Sequence, residues 1–175
     1  MKALNEVMLP GNTCFGCSLE NPDGLQIRIY RDAQHDGRLV GHYAPRPTHG
    51  GFPGIVHGGV QFTVLDCMAG WQVIGLRAAE RLIPLTRKAD IKYRRPAPIG
   101  EPLRLTSQVI AARAAPASSK ALETLDIRTE LCSDGGDVIT IAEFQYITVR
   151  EDTVLSMLGI DELPESYRRH FGDAT

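Results

Sequence analysis

The stretch "GGVQFTVLDCMAGWQVIGL", residues 58–76, contains one formally charged residue, Asp66. The apolar character continues to Ala79, and no proline appears until Pro84. That length without a breaker predicts a helix over 58–79 and not a strand. Such a helix is apolar nearly all round, so other elements must cover it on every side. Asp66, Gln61 and Gln72 interrupt the run and argue against a membrane span. A lone carboxylate in this setting is costly unless it is paired or hydrogen-bonded.

The flanking segments supply the cover. "LQIRIY" (25–30) alternates apolar and polar residues as a half-buried strand does, and "LVGHY" (39–43) reads as its return strand across the Asp36-Gly37 turn. "PRPTHGGFPG" (45–54) is a loop rich in proline and glycine. After the helix, residues 86–94 set Ala89, Ile91 and Tyr93 on one face and Lys88, Asp90, Lys92 and Arg94 on the other. Strands are also predicted at 103–111, 125–131 and 138–149, the last two joined through the turn "SDGGD". Two strands, one long helix and four strands predict an α+β fold, with a curved antiparallel sheet of about six strands wrapped around one central helix. The expected organisation is an N-terminal segment with a CxxC loop over 1–24, a main domain over 25–150 and a helical tail over 151–175.

The 175 residues suit one domain with a substantial core. Net charge is −2 and the basic residues are dispersed, so no nucleic-acid partner is expected. The start, "MKALNEVMLP", lacks the apolar stretch of a secretory signal. No membrane partner is expected either, and the expectation for location is the cytoplasm, with the four cysteines as reduced thiols. Cys14 and Cys17 form a CxxC, whereas Cys67 and Cys132 stand alone in the sequence. A structural zinc site normally has four ligands, so no metal is expected and the pair reads as a loop feature.

The motif His57-Gly58-Gly59, followed nine residues after the histidine by Asp66, resembles that of the hotdog-fold acyl-CoA thioesterases, specifically their phenylacetyl-CoA-type group. "TRKADIKYRRPAPIGEPL" resembles the strand that in this family begins with a hydroxyl residue, here Thr86. "NTCFGCSLENPDGL" resembles an N-terminal signature of one branch, with Ser18 where a glycine is usual. The resemblance covers roughly residues 12–150. It implies a hotdog fold, hydrolysis of an acyl-CoA thioester and no cofactor. It also implies a homodimer, or a dimer of dimers, with the active site at the dimer interface. The family's asparagine six residues before the histidine is Gly51 here, and His49 lies near enough to supply a polar group instead.

Thioester hydrolysis needs a group to hold the developing oxyanion and a group to attack or to activate water. Glycines at a helix start leave backbone N–H groups open to a ligand, and the helix dipole adds partial positive charge. Gly58 and Gly59 therefore suit an oxyanion site, with the Gly58 N–H as the resembled family's donor. Asp66 reads as nucleophile or general base. The bland alternatives are a tight turn for the glycines and a satisfied structural carboxylate for Asp66. His57 is a candidate for substrate contact or loop anchoring, and Thr86 a candidate partner of the acid or the water. Arg94 and Arg95 are candidates for coenzyme A phosphates, or simply a solvated strand end. Val60, Phe62, Met68 and Trp71 are candidates to line the acyl pocket.

Nine helical residues rise about 13.5 Å over about two and a half turns, so Asp66 cannot reach a carbonyl held at its own helix start. This predicts that the acid comes from a second subunit. Two alternatives remain open at this point. A hotdog hydratase or dehydratase would normally pair an aspartate and a histidine five apart, which is absent near the helix start. A non-catalytic acyl-CoA-binding regulator would usually need a DNA-binding segment, and none is evident.

Overall fold

The computed structural model describes residues 2–171. The central helix, α2, spans Gly58–Leu76, and it stops three residues before the predicted end at Ala79. Val64, Leu65, Met68, Ala69, Trp71 and Val73 are all buried, so the helix is enclosed as its composition requires. Its buried polar residues are tied to the surrounding elements. Gln61 donates to the Val56 carbonyl at 3.0 Å and accepts from Thr140 at 2.5 Å. Gln72 donates to the Gly37 carbonyl at 2.7 Å, anchoring the far end of the helix to the first hairpin turn.

Six strands form one antiparallel sheet: β1 Arg28–Arg31, β2 Arg38–Tyr43, β5 Ile83–Tyr93, β6 Leu103–Ala114, β7 Glu123–Ser133 and β8 Val138–Val149. Their order across the sheet is β1-β2-β6-β7-β8-β5. Leu125, Ile127, Thr129 and Leu131 on β7 point alternately toward the core, as a period of two demands. Bulges between Thr86 and Lys88 and between Val109 and Ala111 bend the sheet around the helix. The α+β class, the strand number and the wrapped central helix agree with the sequence reading.

Three local features were not anticipated, and one was. Strand β1 begins at Arg28, because residues 25 and 27 donate to the carbonyls of Phe15 and Gly16 in the CxxC loop and not to a sheet neighbour. The loop over 45–54 contains a 3-10 turn, Pro47–His49, and a ribbon of β3 Gly50–Phe52 with β4 Ile55–Val56. A short helix α1, Leu4–Met8, precedes the sheet. Its buried Asn5 donates to Cys17 and Ile27 and accepts from Ile29, stapling the N-terminal segment to β1. The tail forms the expected short helices, α3 Glu151–Leu158 and α4 Glu165–Phe171, with Gly159 in the left-handed conformation closing α3.

The two sheet edges differ. Strand β1 is four residues long, whereas β5 is eleven and contains no buried residue. Ile83, Leu85, Ala89 and Ile91 are only half-buried on this long edge. No helix among the described residues is long and apolar enough to cross a membrane.

Candidate active site

Asp66 lies on the third turn of α2, half-buried, beside the β5–β8 corner. Its Oδ1 accepts from the Thr86 hydroxyl at 2.9 Å and from the Tyr146 hydroxyl at 2.7 Å. The Tyr146 hydroxyl also lies 2.8 Å from the Asp66 carbonyl oxygen. The carboxylate is thus held in one rotamer by two donors from adjacent antiparallel strands, Thr86 on β5 directly opposite Tyr146 on β8. Burial, then the neighbouring Asp66 charge, pushes the Tyr146 hydroxyl far above the usual phenol range, so it stays a donor. Tyr146 was missed in the sequence, where it reads as one aromatic of a strand; only the register shows that it faces Asp66.

Asp66, Thr86 and Tyr146 open onto a cavity of about 470 Å³. Trp71, Ile74, Ile83 and Val154 form part of its apolar wall, and α4 contributes Tyr167 and Phe171. Of the candidate pocket residues, Trp71 lines it and Met68 is fully enclosed in the core. Val60 and Phe62 do not line it, and Phe62 packs on Phe144 with ring centroids 5.5 Å apart.

The start of α2 has its own arrangement. His57 is the N-cap, and its Nδ1 accepts from the Gly59 N–H at 2.9 Å. That use leaves the N–H groups of Gly58 and Val60 without a partner among the described residues. Tyr93 donates to the Gly58 carbonyl at 3.0 Å. Gly51 permits this packing, since a Cβ there would stand 2.9 Å from the His57 Cα. Gly51, His57, Gly58, Tyr93, Arg94 and Arg95 border a second, open cleft of about 510 Å³. Arg95 pairs with Asp137 at 2.7 Å, both side chains more than half exposed, whereas Arg94 has no acidic partner among the described residues.

His49 is not at this cleft. It is buried in the loop, stacked on Tyr43, with Nδ1 2.8 Å from the Tyr43 hydroxyl and Nε2 accepting from Arg46 at 3.2 Å. Burial, followed by the Arg46 charge, lowers its pKa and keeps it neutral. Its carbonyl accepts from the His57 N–H at 2.9 Å, so it supports the helix start through the backbone.

Gly58 and Asp66 are eight residues apart, about 12 Å of rise and about 80° of rotation. They are therefore not on opposite faces, as the nine-residue interval from His57 suggested. The rise separates them, and within one chain they border different cavities.

The cysteines are also rearranged by the fold. Cys67 lies against the CxxC, with its Sγ 3.8 Å from that of Cys14. Hydrogen bonds from the Cys17 and Cys67 thiols push Cys14 down to about 2, while sharing with Cys14 pushes Cys17 up to about 12. Cys67, closest in the sequence to Asp66, is raised by the same two neighbours. Cys132 is outside this group.

Residues 53–115 match the family model of the thioesterase superfamily. A search of curated proteins finds no match. Among solved structures, a thioesterase superfamily protein aligns at 23% identity and TM-score 0.59, over 73% of this chain and 56% of its own length. This chain therefore spans little more than half of that protein. The Escherichia coli PaaI protein from the phenylacetic acid degradation operon aligns at 18% identity and TM-score 0.56, over 71% of this chain and 80% of its own. A hypothetical thioesterase from Streptococcus pneumoniae, solved with coenzyme A, aligns at 19% identity and TM-score 0.55, over 69% and 88%. The architecture shared with these structures is the hotdog fold that the HGG and spaced aspartate implied, and the stretch that matches the thioesterase family model contains both.

Proposed function

We propose that this protein hydrolyses an acyl-CoA thioester to the free acid and coenzyme A, at a site shared between two copies of the chain. The observation that carries the reading is the carboxylate of Asp66, fixed by Thr86 and Tyr146 at the wall of an apolar cavity. In this reading the cavity takes the acyl group, and Asp66 attacks the carbonyl or takes a proton from the attacking water. The Gly58 N–H holds the oxyanion, helped by the partial positive charge of the α2 start. The thiolate of coenzyme A leaves, and Arg94 and Arg95 meet its phosphates in the open cleft. Acyl-CoA is thus the partner we assign, in the cytoplasm, where unpaired cysteines stay reduced.

The long β5 edge supports the shared site. An exposed, half-apolar edge strand is a template for pairing with a second chain. Antiparallel pairing of two β5 edges, centred between Ala89 and Asp90, would set Thr86 of one copy opposite the partner's Tyr93. Because Thr86 bonds Asp66 and Tyr93 bonds Gly58, that pairing would bring the acid of one copy toward the oxyanion donor of the other. A two-fold axis makes two such sites.

The test is thiol release from short, long and aromatic acyl-CoAs, repeated with Asp66→Asn. The amide keeps an oxygen for Thr86 and Tyr146 but loses the charge and the basicity. Turnover is expected to fall on the order of 10²-fold or more, with folding intact. Near-normal turnover in well-folded Asp66→Asn protein overturns the mechanism.

A further inference from the structure

We propose that Cys14, Cys17 and Cys67 form a thiolate site for a zinc ion, in the wall of the cavity that Asp66 borders. The expectation of no metal rested on Cys67 being remote from the CxxC. The fold removes that premise: the three sulfurs lie within 4.8 Å of one another. Zinc–sulfur bonds of about 2.3 Å at tetrahedral angles require sulfurs about 3.8 Å apart. Cys14 and Cys67 are already at 3.8 Å.

The surroundings are shaped for this approach. A Cβ on Gly16, inside the CxxC, would stand 2.3 Å from the Cys67 sulfur, so only glycine lets α2 come this close to the loop. The loop is further fixed by Asn5, which donates to the Cys17 carbonyl at 2.7 Å.

Three protein ligands leave a fourth position, as in zinc sites that keep one place for water or a small ligand. All three cysteines border the cavity, so that position opens into it. Binding replaces the remaining thiol protons, which leave to solvent, and no electron is transferred. Tetrahedral sulfur-rich geometry selects zinc over magnesium or calcium, which take oxygen ligands. The site stands independently of the thioesterase reading, and its test does not use hydrolysis.

Tag-free protein, purified under reducing conditions without chelator, is assayed for zinc, and metal-freed protein is titrated with Co²⁺. Near one zinc per chain is expected, and Co²⁺ should give the near-ultraviolet sulfur-to-metal band and the strong visible bands of a tetrahedral thiolate site. Cys67→Ser should weaken zinc binding by at least about 100-fold, since even outer-shell changes cost 10- to 100-fold. Cys132→Ser should load fully. Wild-type protein that binds neither metal, or full zinc loading in Cys67→Ser, overturns the site. So does a disulfide among these three cysteines in the reduced preparation. The wild-type Co²⁺ titration decides the matter even if a variant fails to fold.

Discussion

Asp66 places one oxygen against two hydroxyls, so its position depends on Thr86 and Tyr146 jointly. A hydrogen bond to a charged group contributes about 1.5–3 kcal/mol. Removing the Tyr146 hydroxyl leaves Thr86 to hold the carboxylate alone. Tyr146→Phe is therefore expected to lower kcat about tenfold with little change in KM, because the acid is misplaced while the apolar wall stays. Steady-state kinetics beside thermal unfolding of the same preparation checks this. An unchanged kcat would make Tyr146 a packing residue only. Asp66 was legible as an isolated charge in an apolar run. Tyr146 was not, because it lies 80 positions away and meets Asp66 only through strand pairing.

The element that carries the proposed oxyanion donor is the first turn of α2, and its foundation is the buried His49 loop. His49 and His170 both have lowered pKa values, through burial first and then the charges of Arg46 and Arg81. As pH falls below the usual histidine value of about 6.5, the unfolded chain takes up protons before the folded one. The stabilisation is thus present above that pH and is lost as pH falls through it. Melting temperature should drop between about pH 7 and 5.5. His49→Gln should flatten that slope, even if its melting temperature at pH 7 is lower. Asp32 and Asp126 are also lowered, but carboxylates act at more acidic pH, outside this window, and the lowered Cys14 thiol adds a slope that wild type and His49→Gln share. Parallel slopes for wild type and His49→Gln would show that His49 is not the group responsible.

For the whole molecule, the proposed shared site makes a prediction that no single-chain site can match. Gly58→Pro removes the N–H at the first helical position, where proline is tolerated, and the extended backbone of His57 already suits a following proline. Asp66→Asn and Gly58→Pro should each be nearly inactive alone. Mixed dimers, formed by unfolding and refolding the two together, combine an intact Gly58 from one copy with an intact Asp66 from the other. Activity should return to about a quarter of wild type, one working site in the half of the dimers that are mixed. No recovery in mixtures proven to contain mixed dimers would mean that each site lies within one chain.

The sequence by itself determined the enclosed helix, the strand alternation and the isolated acid. These follow from local periodicity and from the cost of an uncovered apolar surface. It also marked His57 and Gly58 at a helix start, because capping and glycine placement are local. Only the tertiary structure decided which groups meet Asp66, that His49 is a buried support, and that Cys67 joins Cys14 and Cys17. Those meetings depend on strand register and on close approach between distant segments. Neither leaves a periodic trace along the chain, and the glycine at position 16 acquires its meaning only once Cys67 is packed against it.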